Sequence, residues 1–300
     1  MEHILNDFTA ATILPQRDAY GHKGSFGRAF AYIGSKKFHG AAHLALEAIL
    51  RGGCGYTELA GDRELVSSLL YKFPEVIYTA LPPTEELSDN EAEIICQKSS
   101  VASATLIGSG SDSSEKLCDL TVKLLSIDTA HPIILDADAL NSIARYGKAL
   151  DVIKAAKRPV IITPHEMEFS RITALSVNEI RSNRSSIAER IAKDVGCIII
   201  LKGHNTVITD GNKTYVNATG NSALAKGGSG DALAGLLTSL VASARTSLLD
   251  LSALACYIHG EAGDSLAAVY SDFGVTPSDL PREMAKTIKR LSDIKKDFPF

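Results

Sequence analysis

Residues 223–237 read ALAKGGSGDALAGLL, an apolar helical pattern broken by three glycines and a serine and then by a carboxylate, Asp231. A glycine turn that opens a helix presents unpaired backbone N–H groups and the positive end of a helix dipole, and both favour an anion. Gly227, Gly228, Ser229 and Gly230 are therefore candidate phosphate ligands. Asp231 has two readings. It caps the helix, a role aspartate fills well. Alternatively it is a base, taking the proton from a substrate hydroxyl as that hydroxyl attacks a phosphoryl group. Three glycines around one acid favour the base. The turn is not a Walker loop, because GxxxxGK(S/T) occurs nowhere, and GSGSDS at 108–113 lacks the last glycine of a dinucleotide fingerprint.

Other residues have chemistry to offer and plainer roles beside it. Lys202 follows an apolar run and precedes a glycine, which suits a phosphate contact at a strand end; otherwise it is a surface lysine. His165 follows Thr163-Pro164 and is placed to donate to a phosphate or amide, a binding role and not that of a general base. Glu168 in HEMEF suits the first turn of a helix. Asp136 and Asn141 in DADALN suit a turn and a cap, and Asn221 either touches a nucleotide or shapes its loop. In YIHGEAGD, His259 reads as a packing or helix-bonding group, and Gly260 and Gly263 as sites of close helix contact. Lys23 and Gly24 in HKGSFG are candidates to flank a substrate pocket.

These residues need a frame that gathers loops. The chain alternates short apolar runs with amphipathic stretches, without internal repeat or low-complexity tract. Strands are expected at 29–34, 56–60, 76–81 and 197–203, and at the heads of 104–111, 132–147 and 158–173, where a turn follows. Helices are expected at 41–52, from Asp231 onward and over 249–270. TVITDG and KTYVNA predict a hairpin around Asp210-Gly211-Asn212. Continuous apolar strands alternating with helices imply an α/β fold, with a mostly parallel central sheet and helices on both faces. Such sheets bind ligands at the carboxyl ends of their strands. The loops there read GSGSD, DADALN, TPHEMEF, KGHNT and GNSALAKGGSGD.

The chain has 300 residues, 45% hydrophobic and 22% charged, enough for the core of one large domain spanning 1–300. A net charge of -4 excludes a binder that relies on a broad basic face, so no nucleic-acid partner is expected. Five dispersed cysteines without a CxxC pair point to reduced thiols and against a disulfide or zinc framework. No run approaches the ~20 apolar residues of a membrane span. The N-terminus lacks the pattern of a signal peptide. The expectation is a cytoplasmic protein without a membrane partner.

The motifs HKGSFGRAFAYIGS, HGAAHLALEAILRGGCGY, FPEV, IGSGS, ILDADALN, TPHEMEFSRI, LKGHNT, GNSALAKGGSGDALAGLL and YIHGEAGD occur in this order through most of the chain. As a set they resemble the ADP/ATP-dependent NAD(P)H-hydrate dehydratase family of the ribokinase-like superfamily. Two places depart from the family pattern. Met167 stands where the family usually has glycine, and GSGSD where it commonly has GPGLG-like text. The resemblance implies that Ala41, Gly110, His165 and Asp231 line the hydrated nicotinamide nucleotide. It implies that Lys202, Gly203, His204, Asn205 and Thr206, with Gly227, Gly228, Ser229 and Gly230, contact the adenine nucleotide. It links Glu168 to Mg²⁺ held through water, and places Asp136 and Asn141 near phosphate or metal.

The resemblance also implies a reaction. ADP or ATP phosphorylates the ring hydroxyl of the (S)-epimer of NADH or NADPH hydrate, phosphate is eliminated, and NAD(P)H returns. The dinucleotide is then substrate and not hydride carrier, in keeping with the missing GxGxxG. A small-molecule kinase for a vitamin precursor shares GGSGD but releases a stable phosphate ester; TPHEMEF and KGHNT favour the dehydratase. A non-catalytic nucleotide-binding module has no need of Asp231. The short stretch ahead of HKGSFG leaves no room for an epimerase domain, so a separate NAD(P)H-hydrate epimerase is expected in the pathway. The family resemblance implies a homo-oligomer and admits a tetramer.

Overall fold

The computed structural model describes residues 2–82 and 87–297. Ten strands join in one sheet: β1 (Glu2–Ile4), β2 (Arg28–Tyr32), β3 (Tyr56–Asp62), β4 (Ile77–Leu81), β5 (Ala104–Ile107), β6 (Ile133–Leu135), β7 (Val160–Ile162), β8 (Ile198–Leu201), β9 (Thr206–Thr209) and β10 (Thr214–Asn217). Their order is β1-β10-β9-β8-β7-β6-β5-β2-β3-β4. From β8 to β4 all pairs are parallel. β9 is the antiparallel strand, paired so with both β8 and its hairpin partner β10, and β1 adds in parallel at the outer edge of β10. The mostly parallel sheet and the hairpin expected from the sequence are both present. β1 was not anticipated: three exposed residues carry no alternation to reveal a strand.

The central strands are apolar on both faces because both faces are covered. Ala29 and Ala31 of β2 enter one core while Phe30 enters the other. Ile134 and Ile161 point to the first core, and Ile133, Leu135, Val160 and Ile162 to the second. On the first face lie the helices Asp7–Ile13, His39–Gly52, Ser229–Ser243, Leu248–Gly274 and Leu280–Asp297. On the second lie Asp89–Ser100, Glu115–Leu125, Asp138–Tyr146 and Arg184–Val195.

The helices His39–Gly52 and Ser229–Ser243 run side by side in the same direction. A Cβ on Gly235 would lie 2.2 Å from the carbonyl oxygen of Ala45, and one on Gly52 would lie 2.5 Å from Ser239 Cβ. Small residues at the contact let the two backbones touch. Ala41 is one turn ahead of Ala45, and Asp231 one turn ahead of Gly235. Both helix N-termini thus reach the carboxyl edge of the sheet together.

Candidate functional site

The loops that leave β5, β6, β7, β8 and β10 converge at that edge. At their centre is Asp136, almost wholly buried. Its Oδ2 accepts from Ser109 Oγ at 2.9 Å, and its Oδ1 accepts from Thr163 Oγ1 at 2.6 Å and from Lys202 Nζ at 3.1 Å. Lys202 comes into reach because its N–H donates to Pro164 O at 2.9 Å, part of an isolated parallel bridge between His165 and Lys202 beyond the β7–β8 ladder. Burial works against the Lys202 charge, but the carboxylates of Asp136, Glu168 and Asp231 hold its pKa above the usual lysine value.

Asp231 is the third residue of the helix Ser229–Ser243. Gly228, at φ 104°, occupies the cap position, and no side chain caps the helix. The structure thus decides against Asp231 as the cap. The positive φ of Gly228 is what requires glycine; a Cβ there would also lie 2.4 Å from Leu44 Cδ1, the movable end of a side chain. The first turn of a helix ordinarily lowers a carboxylate pKa. Here burial, reinforced by the charge of Asp136, outweighs both that effect and Lys202, and lifts Asp231 to about 7. His259, buried beneath the turn, has its Nε2 at 3.0 Å from Ser229 O and 3.2 Å from Ser229 Oγ. Burial lowers its pKa to about 4, so it is neutral and its Nε2–H donates to Ser229. This is the helix-bonding role read from the sequence.

His165 and Glu168 form a reciprocal cap on the helix Glu166–Thr173. The Nδ1 of His165 accepts from the N–H groups of Met167 at 3.1 Å and Glu168 at 3.2 Å, and Glu168 Oε2 accepts from His165 N at 2.8 Å. With Nδ1 an acceptor, the ring proton sits on Nε2, which lies 3.4 Å from Glu168 Oε1. Burial and the nearby Lys202 and Arg171 charges lower the His165 pKa, while burial raises that of Glu168. The latter carboxylate is largely committed to its cap. Among the described residues no group of three or more His, Cys, Asp or Glu side chains gathers to hold a metal ion.

A cavity of about 970 Å³ opens over these groups. Of the residues singled out in the sequence, His165, Glu168, Lys202, Gly203, His204, Asn205, Thr206, Gly227, Gly228, Ser229, Gly230 and Asp231 line it, as do Asp136, Asn221 and His259. Ala41 and Gly110 do not. They lie against each other at the same edge of the sheet, where a Cβ on Gly110 would be 2.6 Å from Ala41 Cβ. Met167 also lines the cavity, half exposed. Asn221 shapes its loop: its Nδ2 donates to Asp264 Oδ1 at 2.7 Å, and its Oδ1 accepts from Ala223 N at 2.9 Å. A Cβ on Gly260 would meet Thr219 Oγ1 at 2.1 Å, the close approach expected of that glycine.

Two expectations fail. Lys23 and Gly24 lie at the opposite, amino edge of the sheet; Lys23 lines a separate cavity of about 580 Å³ with Arg17 and Phe26. Their turn packs on Gly55, just ahead of β3, which carries the pair away from the carboxyl ends. Asn141 is outside the cavity and accepts from Arg171 Nη1 at 2.8 Å. Ser109 and Thr163, which hold Asp136, were not singled out in the sequence. Nor were Asn217, Thr219 and Leu224 of the lining. For Ser109, Thr163 and Thr219 the signal was a polar residue one or two places past a strand, whereas Asn217 ends β10 and Leu224 is apolar. The site combines a glycine-capped helix end for an anion, a lysine for its charge, and a carboxylate with a pKa suited to accept a proton near neutrality.

Known proteins resemble the chain along most of its length. The model of the NAD(P)H-hydrate dehydratase family matches residues 31–288. The ADP-dependent (S)-NAD(P)H-hydrate dehydratase of Bacillus subtilis is 32% identical over 283 residues, 93% of each chain. A crystal structure of the ADP/ATP-dependent NAD(P)H-hydrate dehydratase from Bacillus subtilis, co-crystallised with ATP and Mg²⁺, matches with a TM-score of 0.81 at 29% identity over 95% of this chain and 97% of that one. The bifunctional NAD(P)H-hydrate repair enzyme of Thermofilum pendens is 32% identical over 93% of this chain and 53% of its own, so this chain spans about half the length of such relatives. The fold alone is shared with a ribokinase-like protein of Enterococcus faecalis, with a TM-score of 0.83 at 24% identity over 97% of this chain and 96% of that one. With its ribokinase-like fold, the chain belongs to the NAD(P)H-hydrate dehydratase family.

Proposed function

We propose that the protein restores NADH or NADPH from the (S)-hydrate at the expense of ADP or ATP. The observation that carries this reading is the placement of Asp231, with its pKa lifted to about 7, on the first turn of a glycine-capped helix facing Lys202. Hydroxide is a poor leaving group and phosphate a better one, so the site first activates the hydroxyl. Asp231 accepts the hydroxyl proton as the ring oxygen attacks the terminal phosphoryl group of the nucleotide. The backbone N–H groups of Gly228 and Gly230 and the Lys202 ammonium balance the charge on that group. The ring nitrogen then drives the C–O bond to break, phosphate leaves with that oxygen, and loss of a proton from the adjacent carbon restores the dihydropyridine. In this reading His165 donates its Nε2–H to the substrate, and Ala41 and Gly110 bound the hydrated nicotinamide. Residues 202–206 and 227–230 bind the nucleotide.

Mg²⁺ is proposed as the companion of the nucleotide phosphates, where it would neutralise charge. The side chains present fit an ion carried by phosphate and water, since Asp136 and Glu168 are spent on protein donors. A separate epimerase activity supplies the (S)-epimer. A homo-oligomer, up to a tetramer, is proposed with the exposed apolar residues Val269, Tyr270 and Phe273 as support. The whole forms a single catalytic domain working in the cytoplasm, where nucleotide and reduced cofactor meet.

The test is to supply purified NADPH hydrate with ADP or with ATP and follow the near-ultraviolet absorbance of reduced nicotinamide. The expected result is a rise with at least one donor and one inorganic phosphate released per turnover. No rise with either, in protein that binds nucleotide and phosphorylates a vitamin-precursor alcohol, would assign the site to a kinase.

A further inference from the structure

The chemistry above uses the glycine turn but not what holds it. Lys226 precedes Gly227, and its carbonyl oxygen closes the turn by accepting from Ser229 N at 3.2 Å. Lys226 lines the cavity, and its ammonium is bonded to the end of another helix. Lys226 Nζ donates to Phe273 O at 2.8 Å and also to Val275 O. Those carbonyls end the helix Leu248–Gly274, whose path is interrupted at Ser271, with φ 61° and ψ 165°. The last carbonyls of a helix lack partners within it, and a cation there is favourable. Lys226 thus caps one helix with its side chain while its backbone shapes the N-terminal turn of another.

Three further bonds repeat the connection. Ser222 Oγ donates to Asp272 Oδ2 at 2.6 Å, Gly220 N to Asp264 Oδ2 at 2.7 Å, and Asn221 Nδ2 to Asp264 Oδ1 at 2.7 Å. Beyond the helix end, Pro277 supports the turn: a Cβ on Gly228 would lie 3.2 Å from Pro277 Cβ. A Cβ on Gly227 would meet nothing within 4 Å, so open space lies beside that residue, while His259 holds Ser229 from beneath.

We propose that Lys226, assisted by Ser222 and Asp272, is a positioning residue that clips the glycine turn to the end of the helix Leu248–Gly274 and so holds its N–H groups ready for the nucleotide's phosphates. The inference rests on the nucleotide-binding reading of the cavity. Its physical content is that groups aimed before binding lose less entropy on binding. Asp272 is exposed and lies outside the cavity lining, so it acts only through Ser222.

The experiment compares the full chain with Lys226→Met, Lys226→Arg and Asp272→Asn. It measures ADP and ATP binding by calorimetry, backbone hydrogen exchange at residues 227–230, and the KM and kcat for nucleotide. The expected result is a Kd and KM about tenfold higher in Lys226→Met, the scale of one charge-assisted hydrogen bond, with a much smaller change in kcat. Exchange in the ligand-free turn quickens, Lys226→Arg restores most of the affinity, and Asp272→Asn shows the same pattern in weaker form. Unchanged binding and exchange in Lys226→Met would overturn the proposal. So would weakened binding in Lys226→Met with unaltered exchange and an unaffected Asp272→Asn, because Lys226 would then be touching phosphate itself. A wild-type chain that binds neither nucleotide would instead overturn the functional reading on which the inference rests.

Discussion

Asp231 and His259, which meet the glycine turn from two different helices, have pKa values shifted in opposite senses. Asp231 is lifted from 3.8 to about 7 by burial and then by Asp136, so folding without ligand takes up a proton between those values. The stability it contributes is full below its unfolded pKa and is lost as pH rises through 7. Asp231→Asn removes this dependence. Urea unfolding should find the variant stabilised relative to wild type at about pH 8 and little changed at about pH 4. His259 is lowered from 6.5 to about 4, chiefly by burial, so its contribution is full above 6.5 and is lost as pH falls through 4. For catalysis, the base must be free of its proton, so kcat/KM should rise with pH up to about 7 and then level off. Asp231→Asn should lose that acid limb and about 10²–10⁴-fold in kcat, the usual range for general-base help. A variant that kept the limb would assign it to another group. Asp231 was legible as a base because three glycines stood beside it. The capping work of His165 was not legible, because a histidine cap depends on ring orientation that residue types do not encode.

At the scale of the element, glycines that look alike in sequence do different things. Gly228 shapes the anion turn, while Gly235, two turns along the same helix, allows contact with Ala45. Gly235→Ala should cost about 1–3 kcal/mol, because the new methyl meets backbone and not a mobile side chain. A lowered urea midpoint with unchanged nucleotide affinity of the folded protein would confirm that role; unchanged stability would refute it. Gly227→Ala meets no atom and should leave stability within about 0.5 kcal/mol of wild type. The central strands were legible because burial on both faces gives continuous apolar runs, as in IIIL of β8. β1 was not, since it is a short exposed edge defined by its pairing with β10. The apolar look of 249–270 concealed the break at Ser271, which shows only in its backbone angles.

On the scale of the whole molecule, the parallel sheet brings five loops far apart in sequence to one edge, and the helix pair His39–Gly52 and Ser229–Ser243 brings two N-termini there as well. The order of strands was not readable from the chain, and without it Ser109, Thr163 and Lys202 could not be seen to meet on Asp136. The strand-end loops were readable as a set, and that set contains most of the cavity lining. The same topology sends HKGSFG to the amino edge, away from the chemistry. The central step of the proposed reaction is phosphorylation of the substrate oxygen before it leaves. The direct measurement uses NADPH hydrate carrying a heavy oxygen isotope in its ring hydroxyl, turned over by the wild-type protein with unlabelled nucleotide, and finds where the label goes. Heavy oxygen is expected in the released inorganic phosphate. Label in water, with the phosphate unlabelled, would contradict it.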